Sequence, residues 1–156
     1  LAGRSPQDWE PLRQRFLHEE IVPRIPPSAL ALVQQHQAAG DLVVMTTATN
    51  RFITELTAAH IGISHLIATE PAVANGIFTG GTAGTLNMRE GKVARLHAWL
   101  QARAQSLDQF HSSAYSDSIN DLPLLSAVQR PVAVDPDARL RAQAMKRGWQ
   151  ILELVR

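Results

Sequence analysis

Cysteine is absent from the chain, so neither a disulfide framework nor thiolate chemistry is open to it. No run of about 18 apolar residues occurs, and no stretch resembles a signal peptide, so the expected location is cytoplasmic. A surplus of one charge is lacking too. Lys and Arg number 15 against 14 Asp and Glu, for a formal net charge of +1. The basic residues are scattered, and nothing marks a nucleic acid or a membrane surface as a partner. The six histidines show neither the short helical spacing nor the cysteine company of a zinc site, and are expected at the surface or at helix ends. Internal repeats and low-complexity segments are absent.

What remains is a chain of 156 residues, 45% of them hydrophobic, enough for one compact domain with a real core. Trp9, Leu12, Phe16, Leu17 and Ile21 recur at helical spacing until Pro23 stops the pattern, and Pro23 to Pro27 reads as a hinge. A second helix is expected from Ser28 to Ala39, closed by Gly40, then a buried strand, Leu42 to Met45, leading into Thr46 and Thr47. A helix from Arg51 to His60, with Asn50 as its N-cap, precedes a strand from His65 to Thr69. Between Gly76 and Leu86 a glycine turn at Gly80-Gly81 predicts a small hairpin at a sheet edge. Beyond it the pattern predicts a helix from Gly91 to Gln105, an extended piece from His111 to Tyr115 and a helix from Asn120 to Val128. A strand from Pro131 to Val134, a helix from Pro136 to Arg147 and a strand from Gln150 to Leu154 complete the chain. Such alternation predicts an α/β fold whose parallel sheet carries helices on both faces and binds ligands beyond the carboxyl ends of its strands. Thr47 and Asp117 both fall at such ends. Arg139, Arg141, Lys146 and Arg147 read as a solvated face of the last helix.

The densest chemistry lies in Tyr115-Ser116-Asp117-Ser118-Ile119-Asn120-Asp121-Leu122-Pro123. Asp117 and Asp121 stand four residues apart, which would put them on one helical face, where they repel unless a cation or a donor lies nearby. Magnesium suits them, because it takes oxygen ligands, keeps several waters and is usually held by one or two carboxylates with a substrate phosphate. The plainer reading makes both residues N-terminal helix carboxylates that stabilise the macrodipole. Thr47 by itself could be a strand-end hydroxyl, and Lys92 a solvated charge in a first helical turn, where the dipole slightly opposes it. Thr49, Asn50 and Arg51 follow Thr47 at a helix start, a place that attracts anions.

Together these stretches resemble the haloacid dehalogenase superfamily of phosphatases, in its phosphoserine phosphatase-like branch. The resemblance implies a Rossmann-type three-layer sandwich over residues 26–156, with residues 1–25 as the end of a helical cap. Val43 to Asn50 is similar to the motif whose strand ends in Ser or Thr, which implies that Thr47 and Ala48 bind the substrate phosphate. Lys92, in Arg89-Glu90-Gly91-Lys92-Val93, is the nearest match to the family's lysine; many members place it just before the glycine, where this chain has Glu90. Asp117 and Asp121 match the acidic pair, which implies that both hold magnesium, that Asp121 and Lys92 are catalytic, and that Asn120 helps to hold the phosphate. Ser116 stands where a glycine usually precedes the metal-binding aspartate.

The implied activity is magnesium-dependent hydrolysis of a small phosphorylated metabolite, of the phosphoserine or histidinol phosphate type, through an aspartyl-phosphate. Family members take the nucleophile from a DxDxT motif at the end of the first strand. Asp135-Pro136-Asp137 is the only DxD here, and it fails: Pro136 has no N–H, the fifth position is Arg139, and Asp135 before Pro136 reads as an N-cap. The nucleophile strand is therefore expected upstream of Leu1, between the strands carrying Thr47 and Asp117. Without it the chain is expected to leave backbone groups unpaired, to fold poorly and to be inactive. The alternatives are a non-catalytic phosphate- or metal-binding module and a phosphotransferase on the same scaffold. Oligomeric state is not legible in the pattern.

Overall fold

A computed structural model describes residues 1–154 of the chain, so that the last two residues of the expected core, 155 and 156, lie outside the described residues. The chain divides into two compact units, residues 1–87 and residues 88–154. Among the described residues no helix is long and apolar enough to cross a membrane.

The first unit opens with α1 (Pro6–Phe16), which starts earlier than the apolar spacing suggested. Ser5 and Asp8 form a capping box, each side chain accepting from the other's backbone N–H, and Pro6 occupies the first helical position, where a missing N–H costs nothing. The helix continues through a wider turn, Leu17–Ile21, into a tight one, Val22–Arg24, where Pro23 ends it as expected. α2 (Pro27–Ala38) follows, then β1 (Val44–Asn50), α3 (Arg51–His60), β2 (His65–Ala74) and β3 (Ile77–Ala83). Asn50 caps α3 by accepting from the Ile53 N–H at 3.0 Å. β2 pairs parallel with β1 and antiparallel with β3, in the order β1-β2-β3.

The hairpin is real, but its turn is not at Gly80-Gly81, which lie within β3. Asn75 and Gly76 make the turn instead, with φ of 52° and 76°. A two-residue hairpin turn of type I′ needs left-handed backbone at both positions, and Asn-Gly is the pair that supplies it most cheaply. Phe52 and Phe78, both buried, meet edge to face at 5.0 Å. Arg13 lies over the Phe52 ring at 4.2 Å, donates to the Phe52 carbonyl at 2.7 Å and pairs with Glu55, which ties α1 to α3.

The second unit contains α4 (Glu90–Gln101), β4 (Ser113–Ser116), α5 (Leu122–Ala127), β5 (Arg130–Val134), α6 (Ala138–Arg147) and β6 (Gln150–Leu152). Its three strands are parallel, in the order β4-β5-β6, and α5 and α6 provide the crossovers that parallel pairing demands. Leu125, Ala133, Leu140 and Ala144 form its core, with Ile119, Trp149 and Ile151 against them. Leu125 and Leu140 are wholly buried, which stabilises the unit by about 1.5–3 kcal/mol each. α4 ends four residues before the expected Gln105, because Ala104 turns left-handed at φ 53° and the Arg103 and Gln105 N–H groups both fold back on the Leu100 carbonyl.

The fold is α/β with parallel pairing, as expected. Among the described residues six strands form two sheets, and each sheet ends on a strand that carries a candidate motif, β1 with Thr47 and β4 leading into Asp117.

Candidate active site

Regular pairing of β1 with β2 runs from Val44 opposite His65 to Thr47 opposite Ala68, and then Asn50 stands opposite Thr69. Ala48 and Thr49 therefore bulge out of the ladder, and both are exposed. The Thr49 N–H donates to Thr47 Oγ at 3.2 Å. A hydroxyl that accepts there keeps its own proton to donate elsewhere. Arg51 is committed within this unit: its Nε donates to both Glu70 carboxylate oxygens, at 2.9 and 3.0 Å, and Nη2 donates to the Leu66 carbonyl. Asn50 is an N-cap, so of Thr49, Asn50 and Arg51 only Thr49 presents an exposed side chain.

Behind the bulge lies Asn87, wholly buried, a residue for which the sequence offered no sign beyond a polar side chain between Leu86 and Met88. Its side-chain nitrogen is 2.9 Å from Thr46 Oγ and 2.8 Å from the carbonyl oxygens of both Thr47 and Ile67. Its Oδ1 is buried without a partner among the described residues, a condition that costs about 1–3 kcal/mol.

In the second unit Lys92, in the first turn of α4, is buried, and its ammonium lies 2.6 Å from Oδ1 and 2.8 Å from Oδ2 of Asp121. A lysine is seldom so withdrawn from water unless it is paired. Ser116, the last residue of β4, donates its hydroxyl to Asp121 Oδ2 at 2.7 Å and accepts from the Ser118 N–H at 3.2 Å. Ser116, at the position where the resemblance leads to the expectation of a glycine, thus holds the acidic residue in place. Lys92, the candidate lysine, makes this contact, and Glu90, at the alternative position of the motif, is exposed.

Asp117 and Asp121 do not share a helical face. Ser118 caps a short turn, Ile119–Asp121, by accepting from the Asn120 N–H, so Asp117 stays outside the helical segment. Its carboxylate is exposed and makes no hydrogen bond among the described residues, while the Asp117 carbonyl accepts from the Asp137 N–H at 2.8 Å. Asp137 Oδ2 accepts from the Ile119 N–H and Oδ1 from the Leu140 N–H, each at 2.8 Å. The N-cap of α6 is thus Asp137 and not Asp135, whose backbone is left-handed at φ 41° and donates to the Leu152 carbonyl. The Ile119 N–H above all, then the Leu140 N–H, holds the Asp137 carboxyl below the usual carboxylate range, against a small opposing effect of burial. Asn120 is exposed.

Among the described residues no group of three or more His, Asp or Glu side chains is arranged to hold a metal ion. A carboxylate donor set of one or two fits magnesium nonetheless, since that ion takes most of its remaining oxygens from water and substrate. Asp117 offers an exposed carboxylate on a loop that Asp137 pins from both sides. A groove of about 490 Å³ lined in part by Arg130, Arg147 and Gln150 opens at the amino ends of β5 and β6, the wrong end for these residues.

Residues 1–126 match the pattern of the haloacid dehalogenase-like hydrolases. The chain is 40% identical over 154 residues to a histidinol-phosphatase of Neisseria meningitidis serogroup C (strain 8013), an alignment that takes in 97% of this chain and 69% of that protein. It is 35% identical over 151 residues to phosphoserine phosphatase SerB1 of Mycobacterium tuberculosis (strain ATCC 25618 / H37Rv), with 97% of this chain and 48% of that protein covered. A crystal structure of a protein of unknown function from Bordetella pertussis Tohama I superposes with a TM-score of 0.96 at 44% identity, over 99% of this chain and 70% of that one.

Proposed function

The chain belongs to the haloacid dehalogenase-like hydrolase family, and we propose that the protein containing it is a magnesium-dependent phosphomonoesterase of a small phosphorylated metabolite. The observation that carries this reading is the buried Lys92 ammonium, paired with an Asp121 carboxylate that also accepts from the Ser116 hydroxyl, while the carboxylate of Asp117, the next residue in the chain, is exposed and makes no hydrogen bond among the described residues. In this reading Asp117 would hold magnesium, which would supply positive charge to the phosphoryl oxygens. Asp121, to which the resemblance gave both metal and catalytic duties, orients Lys92 through its carboxylate, and an ammonium with three N–H groups keeps at least one to donate to phosphate.

Thr47 donates its free hydroxyl proton to the phosphoryl group, with the Ala48 backbone beside it in the bulge, and Asn120 adds its amide. Phosphoryl transfer is largely positioning and electrostatic stabilisation, which suits a set of fixed donors and cations. The attacking aspartate of this reading lies outside these 156 residues, in which the one DxD is a loop residue and a helix cap. Residues 1–25 would close a helical cap, anchored through Arg13. Phosphoserine and histidinol phosphate are the substrates proposed, since similar proteins carry names of both types.

The test is phosphate release by the full-length protein from a panel of phosphorylated metabolites, with magnesium and with chelator. Magnesium-dependent release, lost in Asp117→Ala, is expected. Turnover that survives chelator, or an Asp117→Ala variant with wild-type turnover, overturns the reading. Phosphate binding without turnover would favour the non-catalytic module.

A further inference from the structure

Three oxygens surround the Asn87 amide nitrogen, and two of them, the carbonyls of Thr47 and Ile67, only accept. The side chain therefore has one orientation open to it, NH2 toward β1 and β2. Its own backbone N–H donates to Thr69 Oγ at 3.2 Å, so Asn87 holds β1 just before the irregular step between Thr47 and Asn50 and touches β2 on both sides of it, at Ile67 and Thr69. A bulge interrupts the ladder that would otherwise fix the strand, and the backbone there must be held by something else. Asn87 lies at 0% exposure, so it cannot meet a ligand itself.

We propose that Asn87 is a positioning residue that fixes the Thr47 backbone and the Ala48-Thr49 bulge in the geometry that binds a phosphoryl group. The proposal rests on the assignment of Thr47 to phosphate binding made above. The retention of an amide whose Oδ1 is unpartnered is then explained by what its N–H groups hold. Among the described residues every hydrogen-bond partner of Asn87 belongs to the first unit, and none of them is a proposed magnesium donor.

The experiment compares Thr47→Ala, Asn87→Asp and the double variant of the full-length protein, by kcat/KM and by the Kd of inorganic phosphate. All are measured at a temperature where circular dichroism shows each variant folded. Asn87→Asp keeps the shape but turns a carboxylate oxygen toward two carbonyls, so a loss of about tenfold or more is expected in both readouts. The magnesium concentration for half-maximal activity should stay unchanged. Added to Thr47→Ala, the same substitution should cost less than about threefold more, because both act on one element. If Asn87→Asp does not fold, Asn87→Ser is read in the same way. A folded Asn87 variant with wild-type phosphate affinity and turnover, beside an impaired Thr47→Ala, overturns this inference alone. A Thr47→Ala variant with wild-type values overturns the phosphate role of Thr47 instead, and this inference with it.

Discussion

The Lys92 ammonium sits against both carboxylate oxygens of Asp121, at 2.6 and 2.8 Å, with the lysine side chain 9% exposed and the aspartate 13%. Such a pair resists the loss of one partner far more than the loss of both, because a lone charge is left behind in a poorly solvated place. Lys92→Met should lower kcat/KM of the full-length enzyme by about 100-fold or more and cost about 3–5 kcal/mol of stability in urea titration. Lys92→Met with Asp121→Leu should regain much of that stability and none of the activity. A double variant as unstable as the single one would show that the pair is not what the burial demands.

Asp117 predicts the opposite pattern. Its carboxylate is exposed and makes no hydrogen bond among the described residues, so Asp117→Asn should leave the unfolding midpoint within about 0.5 kcal/mol of wild type. Turnover should fall by orders of magnitude, and excess magnesium should restore only part of it. Kinetics at graded magnesium, together with urea titration, separate the two effects.

Asp137 carries a pH dependence with a definite sign. Its folded carboxyl titrates below the ordinary value of 3.8, chiefly through the Ile119 and Leu140 N–H groups. The ionised form therefore stabilises the fold fully above the unfolded value, and that contribution fades as pH falls through the folded one. Asp137→Ala should cost about 1 kcal/mol at pH 7, the usual price of a lost N-cap. The gap between variant and wild type should narrow as urea titrations are carried below pH 3.8. A gap independent of pH would remove the carboxylate from the account.

Gly76 has open space around a hypothetical Cβ, so a substitution there meets no clash and feels only its backbone at φ 76°. Gly76→Val should cost about 1–2 kcal/mol, and Gly76→Asn clearly less. Phosphatase kinetics of the folded full-length protein should not change, since the turn touches no proposed site residue. Equal stabilities for the two variants would argue against the left-handed turn.

Local chemistry explains what could be read in advance. α3 spans Arg51–His60 in structure as in sequence, because Asn50 caps one end and Gly62 follows the other. The hairpin was legible but its turn was not, since Gly80-Gly81 looks more like a break than Asn75-Gly76 until the strands are seen to pair across the latter. In the DxD stretch the sequence points to Asp135 as the cap, and the structure places the cap two residues later, at Asp137. The pairing of β5 with β6 brings the Leu152 carbonyl to the N–H of the left-handed Asp135 and the Leu154 N–H to its Oδ1, contacts that no local pattern announces.

Alternating apolar segments, the caps and the residue types Thr47, Lys92, Asp117, Asn120 and Asp121 are written in the chain, because hydrogen-bonding side chains and periodicity act over a few residues. Which of those groups are withdrawn from water and which stay free came from long-range packing alone. Ser116 and Lys92 reach Asp121 across 5 and 29 residues, and Asn87 reaches Thr46 across 41. No local pattern encodes such contacts, since each depends on where separate helices and strands bring their side chains once the core has closed.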